Sequence, residues 1–138
     1  MNDVEYIARG VICNNSEILL CKNIVEGHYY LPGGHIEEGE TSAEALAREM
    51  SEESNRTITA TIYLKAIENE YDREGKRVRE KFDVFLARLS DTNGVQSIEK
   101  HIDFEWLPVD ELSSVNFLPW QIIPEIISAI ESNRSFWQ

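Results

Sequence analysis

The chain has 138 residues, 42% of them apolar, and a formal net charge of −12 from 25 acidic and 13 basic side chains. That length and apolar share fit one domain with a modest core, spanning residues 1–138, and exclude a disordered chain. So negative a field repels nucleic-acid backbones and anionic bilayers; neither is an expected partner, and a phosphorylated small molecule is admitted only where cations intervene.

The opening stretch MNDVEYIARG lacks the basic start and apolar run of a signal peptide. Nowhere do about 18 apolar residues run together, so a cytoplasmic protein without a membrane span is expected. VEYIARGVIC and EILLCK read as two strands joined at Asn14-Asn15-Ser16, a hairpin. Cys13 and Cys21 flank that turn without facing each other, so two reduced, buried thiols are expected. HYYLPGG reads as a short extended piece closed by Pro32 and two glycines. After the helix described next, TITATIYLKAIENEY and RVREKFDVFLARL alternate like strands about a turn at DREGK. DFEWLPVDEL reads as a strand entering a turn. IPEIISAIES reads as a last helix, with Pro124 in its first turn and Ile126, Ile127 and Ile130 on one face. Strands with two separated helices predict an α/β fold, a mixed β-sheet packed between helices.

The segment ETSAEALAREMSEESN carries the chemistry. Thr41 followed by Glu44 forms a capping box, which places the N-cap at Thr41 and the end near Ser54 or Asn55. Ala43, Leu46, Ala47 and Met50 recur at helical spacing and form the expected buried stripe. Glu49 and Glu53 then stand together beside that stripe, with Glu52 adjoining, and Arg48 lies within ion-pair reach of Glu44 or Glu52. Three like charges on one flank repel and weaken a helix. They are read either as a solvated acidic face or as ligands for a hard divalent cation, which favours oxygen donors and substrate phosphates.

The residues before the helix favour the second reading. From Gly34 the chain runs G-x5-E-x7-R-E-U-x-E-E, filled by Gly34, Glu40, Arg48, Glu49, Met50, Glu52 and Glu53. This resembles the Nudix box, the signature of the Nudix hydrolases. The flanking YYLPGG, FEWLPVDEL and Pro-led last helix resemble the rest of that family's domain. The pattern departs at Asn55, where the family has Gly, and at Arg56, where an aliphatic residue is usual; Asn is the next-best left-handed helix cap, and Ile58 is positioned to take over the apolar contact.

The resemblance implies an α/β/α sandwich and hydrolysis of a phosphoanhydride bond in a nucleoside diphosphate-linked substrate with Mg²⁺ or Mn²⁺. By position, Glu49, Glu52 and Glu53 are the implied metal ligands, with the Gly33 carbonyl a further one. The implied catalytic set is Glu52, Glu49 and Arg48. Glu52 or Glu49 acts as general base, Arg48 orients a glutamate, and Glu40 braces the loop. Glu99 is a candidate downstream base or ligand, or a solvated loop residue. Substrate contacts are sought among Arg9, Tyr30 and Arg79. Arg79 alternates with Arg77 and Lys81 along one strand, as a phosphate-steering stripe or a plain charged face. Tyr71 lies near where dinucleoside-polyphosphate hydrolases carry a tyrosine. His28, His35 and His101 show no metal-ligand spacing. The partner is a small nucleotide, a homodimer is compatible, and an idle nucleotide-binding sensor on the same fold is the alternative.

Overall fold

Alternating burial along three strands sets the architecture of the computed structural model, which describes residues 3–97 and 102–138. Its elements in chain order are β1 (Asp3–Val11), β2 (Cys13–Asn14), β3 (Glu17–Asn23), β4 (Tyr29–Tyr30) and β5 (Gly33–His35), then α1 (Ser42–Ser54). β6 (Ile58–Arg73), β7 (Lys76–Leu89), β8 (Ile102–Pro108) and α2 (Ile123–Ser132) follow, with short 3-10 turns between and after the last two. In one sheet β1 lies between β5, antiparallel, and β7, parallel, while β6 pairs antiparallel with the other edge of β7. In the second, β3 is central: β8 runs along Glu17–Asn23 on one edge, and β2 and β4 share the other.

Ile7, Val11, Phe82 and Val84 point to one side, where Ile126 and Ile130 of α2 cover them. Ala8, Phe85 and Ala87 point to the other, against Leu46 and Met50 of α1. Strand side chains alternate between faces, so one run of apolar residues feeds two cores. The outcome is the expected α/β/α sandwich. Each fully buried Leu or Met adds about 1.5–3 kcal/mol of hydrophobic stabilisation. No helix among the described residues is long and apolar enough to cross a membrane.

The expected hairpin forms about the Asn15-Ser16 turn, but it is short. β1 departs into the other sheet, and only Cys13 and Asn14 pair across the turn with Ile18 and Glu17. The parallel pairing of β1 with β7, from Asp3–Val78 to Val11–Leu86, wins because it buries Ile7 and Val11 on one face of β1 and Ala8 on the other. Cys13 belongs to the α2-side core and Cys21 to the α1-side core, both buried, so they do not face each other. Burial pushes the Cys13 thiol up to about 12. HYYLPGG likewise divides, β4 joining the β3 sheet and β5 the β1 sheet. The turn at DREGK forms at Glu74 and Gly75, both at positive φ.

Helix α1 begins and ends where its sequence says. The Thr41 hydroxyl accepts from the Glu44 N–H at 3.1 Å and the Glu44 carboxylate accepts from the Thr41 N–H at 2.8 Å, a full capping box. Asn55 caps the far end at φ 56°, ψ 35°. Arg56 donates to the Asn93 carbonyl at 2.7 Å, and Ile58 packs into the α1-side core in place of the apolar residue expected at 56. The buried stripe is rotated from expectation: Ala43 and Ala47 are half-buried, whereas Ala45, Leu46, Met50, Glu53 and Ser54 are buried. Leu46 fixes that rotation by packing against the bare Cα of Gly10. Thr41→Ala removes the cap and is expected to lower stability by about 1 kcal/mol in urea unfolding, with the denaturant slope unchanged.

Candidate metal and substrate site

The rotation of α1 places Glu53, at i+7 from Leu46, on the core side of the helix, where it is 5% exposed. Glu49 lies toward β5 and Glu52 outward, with side chains 17% and 58% exposed. Arg48 joins them. Its Nη1 donates to Glu49 at 3.1 Å and Glu52 at 3.2 Å, and its Nε and Nη2 donate to the two oxygens of Glu40 at 3.1 and 2.8 Å. Nη2 also reaches the His35 carbonyl at 2.9 Å. Arg48 therefore meets Glu52, as one of its two expected partners; Glu44, the other, is occupied by the capping box. Glu40 also accepts from the Glu37 N–H at 2.8 Å, which ties the loop before α1 to the helix.

Two glycines make room for this cluster. Gly33 has φ +142°, and a Cβ there would strike the Ala8 carbonyl of the paired strand. A Cβ on Gly34 would occupy the place of the Glu49 carboxylate. The glutamate head thus lies directly on β5 backbone. Among the described residues, no three His, Cys, Asp or Glu side chains form a ready metal cage, because Glu49 and Glu52 are turned onto Arg48. The available donors are carboxylate oxygens beside the backbone of β5, and that all-oxygen set suits Mg²⁺ or Mn²⁺ rather than a soft metal.

On the opposite face of the same sheet, β1, β6 and β7 floor a cleft of about 580 Å³. Arg9 enters it, its guanidinium 5.3 Å from the Tyr30 ring centroid and 5.9 Å from that of Phe82. His28 stands beside Tyr30 with ring centroids 5.7 Å apart. Of the sequence-predicted contacts, Arg9 and Tyr30 thus meet in the cleft, and Tyr71 lines it too. Arg79 does not. It lies on the other face of β7, paired with Glu70 at 3.6 Å, as Arg77 pairs with Glu70 and Asp72 and Lys81 with Glu68. The cross-strand match of basic β7 residues to acidic β6 residues explains the stripe as a charged face. Glu99 and His101 lie outside the described residues.

Sequence reading missed Arg73, Asn69, Glu80 and Phe82, which line the same cleft. Their shared face follows from period 2 once β6 and β7 are paired, but the register is not written in either strand alone. Arg73 donates to Glu5 at 2.9 Å, and Glu5 also lies 3.3 Å from the His35 ring. The Arg73 bond, ahead of His35, holds the Glu5 carboxyl below its ordinary range.

Hydrogen bonds from Arg48, then from the Glu37 backbone, hold the Glu40 carboxyl below its ordinary value, and Glu40 foremost raises the guanidinium of Arg48. A folded pKa below the unfolded one stabilises the native state fully above the ordinary carboxylate range, and this contribution is lost as pH falls through the folded value. Glu40→Gln is therefore expected to melt below wild type near neutrality. The gap in Tm should close as pH drops below about 4, read by thermal melts across a pH series.

A NUDIX domain model matches residues 5–127. The 8-oxo-dGDP phosphatase NUDT18 of Mus musculus is 34% identical over 140 residues, covering 99% of this chain and 41% of that protein. An 8-oxo-dGTP diphosphatase of Proteus vulgaris is 30% identical over 71 residues, covering 48% of this chain and 63% of that one. The chain thus spans less than two thirds of the length of either relative. Among solved structures, a MutT NUDIX hydrolase from Burkholderia pseudomallei superposes with a TM-score of 0.72 at 20% identity, over 91% of this chain and 98% of the other. A C. elegans Ap4A hydrolase complex gives 0.68 at 20% identity, over 93% and 98%. These two likenesses bear on the fold. A family match running from β1 into α2 is decisive for membership: the chain belongs to the Nudix family.

Proposed function

We propose that the chain hydrolyses a phosphoanhydride bond in a small nucleoside diphosphate-linked substrate, a nucleoside di- or triphosphate being the simplest, with Mg²⁺ or Mn²⁺. The observation that carries this reading is the seating of Glu49 on Gly34 with Arg48 bridging Glu49, Glu52 and Glu40, on the strand paired with β1, whose Arg9 enters the cleft. The names of the Mus musculus and Proteus vulgaris relatives support the substrate class.

Glu49, Glu52, Glu53 and the Gly33 carbonyl would hold the cation. When bound, it supplies charge neutralisation of the phosphates and a lowered pKa for water. Arg48 is a positioning residue: its fork fixes two glutamates relative to the loop, which a point charge on a flexible stem does not do. Glu52 accepts from Arg48 through Oε2, and its exposed carboxylate receives the proton of the attacking water at Oε1. Glu49 serves as the alternative base, its carboxylate nearer β5 backbone. Arg9, in the cleft across β1, meets the negative charge of the phosphate chain.

Phosphate release from a nucleotide panel, with and without Mg²⁺ or Mn²⁺, tests the reading. Turnover is expected only with the cation, and Glu52→Gln or Glu53→Gln should each reduce it by about 10²–10⁴-fold. Arg48→Lys should keep the fold but raise the Mn²⁺ concentration needed for half-maximal turnover by about 10–100-fold. Nucleotide binding without turnover across the panel would instead make the chain an idle sensor.

A further inference from the structure

Past the cleft, β7 runs on to a second cavity. Phe82, Val84, Leu86 and Arg88 share one face of the strand, because side chains alternate. Phe82 and Val84 line the cleft and Leu86 is buried in the α2-side core. Arg88 emerges beyond it, about 13 Å of strand from Val84. There a cavity of about 430 Å³ opens between the end of β7, Thr59 of β6 and Trp137. A smaller one of about 190 Å³, lined by Arg134, shares Asn14 and Trp137 with it.

Arg88 is held in this cavity by neutral groups. The register of β6 on β7 shifts between Ile58 and Ala60, which makes Thr59 the extra residue of a bulge. A bulge re-aims its side chain. Here the Thr59 hydroxyl accepts from Arg88 Nε at 3.3 Å and donates to the Arg88 carbonyl at 3.3 Å. Arg88 Nη1 donates to the Phe136 carbonyl at 3.0 Å, and the guanidinium lies 5.5 Å from the Phe136 ring centroid. Trp137 Nε1 donates to the Ala87 carbonyl at 2.8 Å and fixes the facing wall. The fork of Arg88 is thus oriented without a carboxylate, which leaves Nη2 and the charge of the group for a ligand.

In so acidic a chain that arrangement stands out. Arg48, Lys65, Arg73, Arg77, Arg79 and Lys81 are each set against a carboxylate. Among the described residues neither Arg88 nor the exposed Arg134 forms an ion pair. The acidic side chain that lines the larger cavity, Asp91, is engaged by its own loop, where Oδ1 accepts from the Asn93 N–H at 2.9 Å. Ser90, Thr92 and Asn14 add neutral donors around the same space. We propose that this pocket binds a phosphate-type oxyanion, with Arg88 as its principal donor and Arg134 as a second positive charge beyond Trp137. A tetrahedral oxyanion presents oxygens to several walls at once, and charge-assisted bonds from a planar fork are the strong ones. An extended polyanion is opposed by the net charge of −12, so a compact one fits.

Residue-resolved NMR titration with inorganic phosphate tests this, without divalent cation so that the acidic flank of α1 stays closed to anions. The Trp137 indole and the Ser90 and Thr92 amides are expected to shift and saturate, half-way on the order of 1 mM. Acetate at matched ionic strength should give no saturating shift. Arg88→Gln removes the charge and should weaken binding by about 10–100-fold, Arg134→Ala by about threefold, and Asp91→Asn should tighten it about twofold. Thermal melting verifies that Arg88→Gln is folded; should it not be, Arg134→Ala and the acetate control decide. Phosphate shifts confined to Arg9 and Asn69 in the cleft, acetate binding equal to phosphate, or unchanged binding in folded Arg88→Gln overturns the proposal. A nucleoside monophosphate that shifts the same Trp137 and Ser90 signals at lower concentration than inorganic phosphate identifies an esterified ligand, and one that needs a higher concentration identifies the free ion; both uphold the pocket. No hydrolysis is read, so the absence of nucleotide turnover would sink the hydrolytic reading and leave this one standing.

Discussion

One guanidinium stands where four carboxylates converge, and the geometry of the box follows from it. Arg48 uses Nε and both Nη atoms to hold Glu40, Glu49 and Glu52 at 2.8–3.2 Å, with Glu37 further off at 3.7 Å. Without a cation at this point the loop and the helix would each present like charge to the other. An isolated surface ion pair adds little to stability because two long side chains must be ordered in water. Here the side chains of Arg48, Glu40 and Glu49 are only 17–23% exposed, so solvent screens them less, and their bonds share one planar donor group. The main consequence is orientation. The loop carrying Glu37 and Glu40, the strand end at His35 and the acidic flank of α1 become one unit.

That unit is fastened to the sheet through three residues of β5. Gly33 pairs with Arg9 and Gly34 with Ala8, so the backbone of β5 touches β1 at the position whose side chain enters the cleft. Because β-strand side chains alternate, Arg9 faces the cleft while Ala8 and Gly10 face α1, which packs Leu46 against Gly10. The acidic helix and the cleft therefore occupy opposite faces of one sheet and meet only at its edge. A side chain on either glycine would part them. At Gly33 it would push β5 off β1, and at Gly34 it would displace the Glu49 head.

How much of this the sequence makes legible depends on how local the cause is. The span of α1 is legible because its signals lie within one turn of each end: the Thr41–Glu44 box and the left-handed Asn55. The box residues are legible for the same reason, since their fixed spacing on one helix already puts them on one flank. Which face of α1 is buried is less so. Small alanines tolerate either environment, and the choice between Ala43 and Ala45 is made by the Leu46–Gly10 contact with a distant strand. The path of β1 and the register of β6 on β7 are not legible in any short window, because parallel and long antiparallel pairings are decided by both cores together. Arg79 and Glu80 show the consequence: adjacent in sequence, they lie on opposite faces, and only the pairing tells which one reaches the cleft.

The acidity of the chain also acquires a physical sense. A net charge of −12 opposes any phosphate, so the cations that remain must be placed rather than merely present. Lys65, Arg77, Arg79 and Lys81 are each set against a carboxylate, which leaves little net field at their positions. Arg9 is held differently, over the faces of Tyr30 and Phe82. An aromatic face steadies a cation without cancelling its charge, so the Arg9 guanidinium keeps its positive charge in a cleft that Glu26, Glu80 and Arg73 also line. On the proposed function, a divalent cation held by the glutamates of α1 would add to the charge of Arg9 instead of opposing it. On the same proposed function, a polyanionic substrate would be drawn to this one point on the sheet edge and opposed by most of the remaining acidic surface, a contrast that would direct its phosphate chain toward the box.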